Sequence, residues 1–313
     1  MSFSSSVKKE LIDFENSRID DEINYTQCCT HAQQYGLLLF CRGFSVSGIN
    51  MQTENESIAK MYAKTIEQIT GQIQPIKCSA AGKYSVSVQG EKKRKKVIEH
   101  FGYTGSEITL RINRANLLDE CCYSAFLRGA FLACGTITSP KKEYHLEFVA
   151  THFNLCKDLM KVMEDMDLLP KYVMRKGNHI TYFKDSESIE DVLTHMGAIF
   201  SSLELMEIKI YKDVRNKVNR RTNFENANLT KTVDAAFTQM QAIELIKKEK
   251  GMSYFPEELR ELAVLRLDNP ELSLRELGQM LSVPLSRSGV NHRLKKIIQM
   301  ADDLKNSEQE KGE

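Results

Sequence analysis

The sequence predicts an α+β domain followed by a separate all-α module, and three observations carry that prediction. A two-fold self-similarity runs through the first two-thirds of the chain, each copy mixing helical and alternating apolar patterns. In the last quarter the alternation disappears and only short helical stripes remain. The 313 residues are 42% hydrophobic and 27% charged, which supplies more than one core in an ordinary globular composition. The expected organisation is a repeat-bearing domain over 1–228, with halves at about 22–110 and 115–212. A linker helix over 229–252, a helical module over 253–303 and a disordered tail over 304–313 follow.

Composition also excludes. No apolar run reaches the roughly 18 residues that a membrane-spanning helix needs. The start, Met1 to Lys9, lacks the apolar centre of a secretory signal, so a cytoplasmic location and reduced thiols are expected. The formal net charge is only +1, so a role with nucleic acid must rest on local clusters. Of the eight cysteines, Cys28-Cys29 and Cys121-Cys122 are adjacent pairs. Neither pair has C-x-x-C spacing or a following histidine pair, so the reading is small buried or half-buried thiols, with no metal and no cofactor expected.

The repeat sets the elements in order. Cys28-Cys29 falls on Cys121-Cys122, Gly36 on Gly129 and Cys41 on Cys134; further along, Gly82 falls on Gly177 and His100 on His195. Each copy opens with an apolar helix, Ala32 to Cys41 or Ser124 to Cys134. Alternating segments at Phe44 to Ser47 and Tyr144 to Val149 then suit strands. Next comes an amphipathic helix, with Ile58, Tyr62, Ile66 and Ile69 in one copy and Leu155, Leu159 and Val162 in the other. Hairpins are predicted around Gly82 to Val88 and Gly177 to Phe183, and a short helix closes each copy. Its basic run Lys92 to Lys96 faces Ser186 to Asp191 of the other copy in the alignment, and a solvated helix start is preferred there over a phosphate contact.

The opening helices carry small residues on one face, which lets two backbones approach closely. Gly36, Cys41, Gly129 and Cys134 are the expected structural positions of that seam. Both segments resemble the LAGLIDADG helix of homing endonucleases, whose terminal carboxylate binds the metal for phosphodiester cleavage. Here Cys41 and Cys134 stand at that position, and no Asp or Glu occurs from Ile23 to Thr53 or from Cys121 to Lys142. Hard metal ions need oxygen ligands, so the resemblance implies the scaffold without the chemistry, and no catalytic residue or enzyme activity is expected.

After the repeat, Val214 to Thr232 is rich in amides and cations. Arg215, Asn219, Arg220 and Arg221 are second-rank DNA-binding candidates, because Lys/Arg interleaved with Asn suits phosphates and base edges; an inter-domain hydrogen-bond network is the alternative. Thr230 is read as the start of the following helix.

The last module reads as three helices. Pro256 suits a first helical position, with Leu259, Leu262, Ala263 and Leu267 on one face, and Asn269-Pro270 ends the helix. Ser273 to Glu276 is a capping box opening the second helix, whose Leu274, Leu277 and Leu281 point inward. Pro284 breaks it and Ser286 caps the third, where Val290, Leu294 and Ile297 form the buried stripe. The other side of that third helix shows Ser286, Arg287, Ser288, Asn291, His292, Arg293, Lys295 and Lys296, with no acid between Ser282 and Ala301. A helix-turn-helix needs this distribution, and these eight residues are the DNA-binding candidates.

The whole chain resembles the WhiA family, on Arg128 to Ala133, Tyr144 to Glu147, Arg215-Asn216-x-Val218-Asn219-Arg220, Glu225-x-Ala227-Asn228-Leu229 and Ser286-x-Ser288-Gly289-Val290-Asn291-His292-Arg293-Leu294. Phe224 and Cys134 depart from it, standing where the family tends to show Cys and Gly. The resemblance implies a degenerate LAGLIDADG domain joined to a helix-turn-helix like sigma-factor region four. It also implies a bacterial, nucleoid-associated regulator of sporulation or cell division and chromosome segregation. Double-stranded DNA is the implied partner, with transcription machinery or another regulator on the LAGLIDADG-like domain. A protein-interaction scaffold, localised to DNA by its last module, is the alternative.

Overall fold

The computed structural model describes residues 2–20 and 27–309 and divides into two compact units, Met1–Asp213 and Val214–Glu313. The beginning of the first repeat half, at 22–26, and the last tail residues, 310–313, fall outside the described residues.

In the first unit the repeat appears as two copies of an αββαββα motif. The first copy is α2 (Gln27–Leu39), β1 (Gly43–Phe44), β2 (Ile49–Thr53), α3 (Glu56–Thr70), β3 (Ile76–Cys78), β4 (Tyr84–Ser87) and α4 (Glu91–His100). The second is α5 (Glu120–Cys134), β5 (Gly135–Ile137), β6 (Leu146–Ala150), α6 (Phe153–Glu164), β7 (Lys171–Arg175), β8 (Asn178–Phe183) and α7 (Ser186–Met196). Each copy forms a four-stranded antiparallel sheet with the same order, β1-β2-β4-β3 and β5-β6-β8-β7. The α+β class and the duplication hold.

One strand assignment shifts, and one helix is added. Phe44 to Ser47 is not a strand beyond Phe44, because Ser45 and Gly48 exchange backbone hydrogen bonds in a turn and the Ser45 and Ser47 hydroxyls meet at 2.7 Å. The inward face of the sheet is carried instead by Ile49 and Met51 of β2, the counterparts of Leu146 and Phe148 on β6. A helix that periodicity did not reveal, α1 (Phe3–Asp20), buries Val7, Leu11 and Ile12 in the same core. The Glu10 carboxylate of α1 accepts the backbone N–H groups of Phe200 (2.7 Å) and Ser201 (3.0 Å), capping the helix that starts there.

That helix, α8, runs unbroken from Ile199 to Lys250, and the division between the units falls within it. Thr230 therefore starts no helix, and the amide-rich segment is helical, not a bridge between elements. Every residue from 213 to 235 is exposed. Ala242, Ile243 and Ile246 of the same helix pack into the core of the second unit, so the expected linker contributes a fourth helix to that module.

The rest of the second unit is α9 (Glu257–Asp268), α10 (Leu274–Met280) and α11 (Arg287–Gln309). Pro256 sits at the N-cap of α9, one residue before the expected position, and the Ser273–Glu276 capping box is complete. Helix α11 continues to Gln309, so 304–309 are helical where a disordered tail was expected. Among the described residues, no helix is long and apolar enough to cross a membrane.

Candidate nucleic-acid interface

The second unit holds α11 by contacts made on its inner side. Val290, Leu294 and Ile297 are fully buried against Leu259, Leu262 and Leu277. A Cβ on Gly278 would collide with the Leu285 carbonyl oxygen, so only glycine lets the turn before α11 fold back onto α10; there Leu285 N–H donates to Gly278 O at 2.9 Å. The same turn is tied to α9 by Glu261, whose carboxylate accepts from Ser282 N–H (2.7 Å) and Ser282 Oγ (2.8 Å). Arg266 is buried at 2% exposure and donates to the Leu272 carbonyl at 2.8 Å, pinning the α9–α10 loop; burial lowers its pKa. The angle between α10 and α11 is thus fixed by backbone contacts.

Ser286 Oγ accepts the Gly289 N–H at 3.2 Å, which puts the Ser286 side chain on the N-terminal end of α11. At about 100° per residue, Ser288, His292 and Lys295 share the face opposite the buried stripe, and all three are exposed. Arg287 is exposed and Asn291 half-buried on one flank of that face, while Lys296 is exposed on the other. Arg293 differs: it is half-buried and its guanidinium donates to the Glu258 carbonyl of α9 at 2.9 Å, so it braces the module as well as carrying charge. Two exposed residues escaped the sequence reading. Gln299 extends the face one turn past Lys295, and Arg275 lies in the first turn of α10. The i+4 spacing from Lys295 was the signal for Gln299; Arg275 was masked by its place inside the capping box.

Arg215, Asn219, Arg220 and Arg221 are exposed on α8. Arg221 is paired with Glu225 at 2.9 Å, an i,i+4 ion pair.

The seam of the first unit is symmetric in atomic detail. A Cβ on Gly36 would strike the Phe126 carbonyl oxygen, and one on Gly129 would strike the Gln33 carbonyl oxygen. Gln33 and Phe126 are themselves one repeat apart, so the two contacts are copies of each other. At the far ends of these helices lie Cys41, whose thiol donates to Leu37 O at 2.9 Å, and Cys134. Burial pushes the Cys134 thiol up to about 12, and pushes Cys41 up as well, so both stay protonated. Lys8 of α1 reaches the same place, donating to the Leu132 carbonyl at 3.4 Å, with its pKa lowered by burial despite both thiols. Two neutral thiols and an amine form a poor set for a hard cation.

Comparison with known proteins agrees with both units. A family model described as the WhiA C-terminal HTH domain matches residues 218–301, and one described as the WhiA LAGLIDADG-like domain matches residues 123–215. The chain is 36% identical to a probable cell division protein WhiA of Alkaliphilus metalliredigens, over 96% of this chain and 98% of that one. It is 37% identical to the protein of the same name in Thermoanaerobacter pseudethanolicus, over 97% and 98% of the two chains. Among solved structures it is similar to full-length DUF199/WhiA from Thermatoga maritima, with a TM-score of 0.55 and 23% identity over 97% of this chain and 99% of that chain, which shows the fold.

Proposed function

The chain belongs to the WhiA family, and on that premise we propose that it is a sequence-specific, double-stranded-DNA-binding transcriptional regulator acting in cell division and chromosome segregation or sporulation. The observation that carries this reading is the outer side of α11. Arg287, Ser288, His292, Lys295 and Lys296 lie exposed along it with Asn291 half-buried on its flank, free of acids from Ser282 to Ala301, on a helix whose angle is fixed from behind. Arg pairs with guanine and Asn with adenine in the major groove, while lysines further along meet phosphates. Arg215, Asn219, Arg220 and Arg221 supply a second, weaker set of phosphate contacts.

In this reading residues 253–303 read DNA on a core that 229–252 helps to build, and the first unit, Met1–Asp213, forms a scaffold that cleaves nothing and presents a surface to transcription machinery or another regulator. The protein works at the nucleoid in the cytoplasm. Mapping genome-wide occupancy with the intact chain and with a chain carrying Arg287→Ala and Asn291→Ala tests it. Discrete peaks sharing one sequence, lost in the variant, are expected. Peaks that persist unchanged would move sequence reading elsewhere and favour the scaffold reading.

A further inference from the structure

Four thiols converge where the two seam helices begin. Cys28 and Cys29 lie in the first turn of α2, Cys121 and Cys122 in the first turn of α5. Their sulfur atoms all lie within 4.8 Å of one another. Cys29 Sγ and Cys121 Sγ are 3.1 Å apart, and Cys28 Sγ is 3.7 Å from the Asp119 carboxylate. The two pairs are related by the same repeat that sets the glycine contact, so one symmetry places both. We propose that these four cysteines form a tetrathiolate zinc site that clamps the two halves of the repeat at the head of their seam.

Adjacent residues on a helix point about 100° apart, so neither pair closes a chelate alone. The facing pair supplies the missing two corners, which is why spacing along the chain gives no sign of the site. Zinc–sulfur bonds of about 2.3 Å in a tetrahedron put the sulfurs roughly 3.8 Å apart. Sulfurs already within 4.8 Å of one another need movements of about 1 Å or less to reach that geometry. The ligand chemistry favours a soft, thiophilic divalent ion over magnesium or calcium. Helix α5 begins at the cluster, but burial outweighs its dipole and pushes the Cys122 thiol up to about 11, so it is the cation that draws the protons off. Cys29 and Cys122 are buried while Cys121 is exposed, which leaves an entry side and a dry side. Binding Zn²⁺ releases the thiol protons to solvent and oxidises nothing.

Three of the four remaining cysteines serve as internal controls. Cys78 is exposed on β3, and Cys41 and Cys134 lie at the other end of the helices. The test measures zinc in the full chain purified under reducing conditions, then alkylates the thiols with and without a chelator. One zinc per chain is expected, and replacement by Co²⁺ should give thiolate-to-cobalt charge-transfer absorption. Alkylation of the four thiols should be at least about tenfold slower with metal present, while Cys78 reacts equally either way. Cys29→Ser with Cys122→Ser should lose the metal and Cys78→Ser should keep it. If the double variant fails to fold, alkylation of the unaltered chain decides. Absence of retained zinc with Cys121 reacting at the rate of Cys78, or a Cys29–Cys121 disulfide in acid-quenched cell extract, overturns the proposal.

Discussion

Asp158 ties the second copy of the repeat to the segment that precedes it through one carboxylate. It accepts two hydrogen bonds of 2.6 Å from the Arg111 guanidinium and one of 3.0 Å from the Ile112 N–H, on the segment that connects the copies. Burial pushes its pKa up, but these donors outweigh burial and hold it below the usual carboxylate value. A depressed carboxylate stabilises the fold above its unfolded pKa of about 3.9, and that contribution is lost as pH falls through the lower folded value. Asp158→Asn should therefore cost about 1–3 kcal/mol near neutral pH. In urea unfolding at several pH values the gap to the parent chain should close below about pH 4. A gap that stays constant into acid would mean that the charge contributes nothing. The acidic residue was visible in the sequence, but its partners lie 46 and 47 positions away and carry no periodic signal. Lys8 was hidden for the same reason: nothing in Met1 to Lys9 says that its amine ends beside Cys41 and Cys134.

Among the elements, the seam helices were the most legible, because a duplicated glycine in an apolar helix has a simple physical cause in close backbone approach. Gly129→Leu should force α2 and α5 apart and cost at least about 1–3 kcal/mol, read as a lower urea midpoint. An unchanged midpoint would mean that the backbones do not meet there. Helix α8 was the least legible. Its middle is amide-rich and exposed on every side, so neither an apolar stripe nor a cap marked it as helical. Such a segment has little tertiary packing to hold it. Amide hydrogen exchange over 214–232 should be at least about tenfold faster than at Ile243 to Ile246, which pack in the second core. Equal protection would show that something covers the exposed segment. The cysteine pairs were seen as sequence but judged one pair at a time; only the seam brings them together.

Across the whole molecule the duplicated αββαββα scaffold ends its seam helices on Cys41 and Cys134, each within a carboxylate-free stretch of chain, with the Lys8 amine beside them. With magnesium or manganese, the pure protein should leave every duplex uncut; nicking abolished by substitutions in α2 or α5 would contradict this. The proposed function puts DNA instead on the outer side of α11, which is legible because charge and amides segregate to one side of a capped, amphipathic helix. The most direct measurement takes the duplex that the intact chain enriches from a random pool and compares it with a scrambled duplex at several salt concentrations. The selected duplex should bind at least about 10³-fold more tightly. Arg287→Ala or Asn291→Ala should cost about 1–3 kcal/mol on it and little on the scrambled one. Lys296→Ala should weaken both alike and flatten the salt slope by about one phosphate contact. Equal losses on both duplexes for all three variants would contradict the account, leaving α11 an electrostatic handle that reads no sequence.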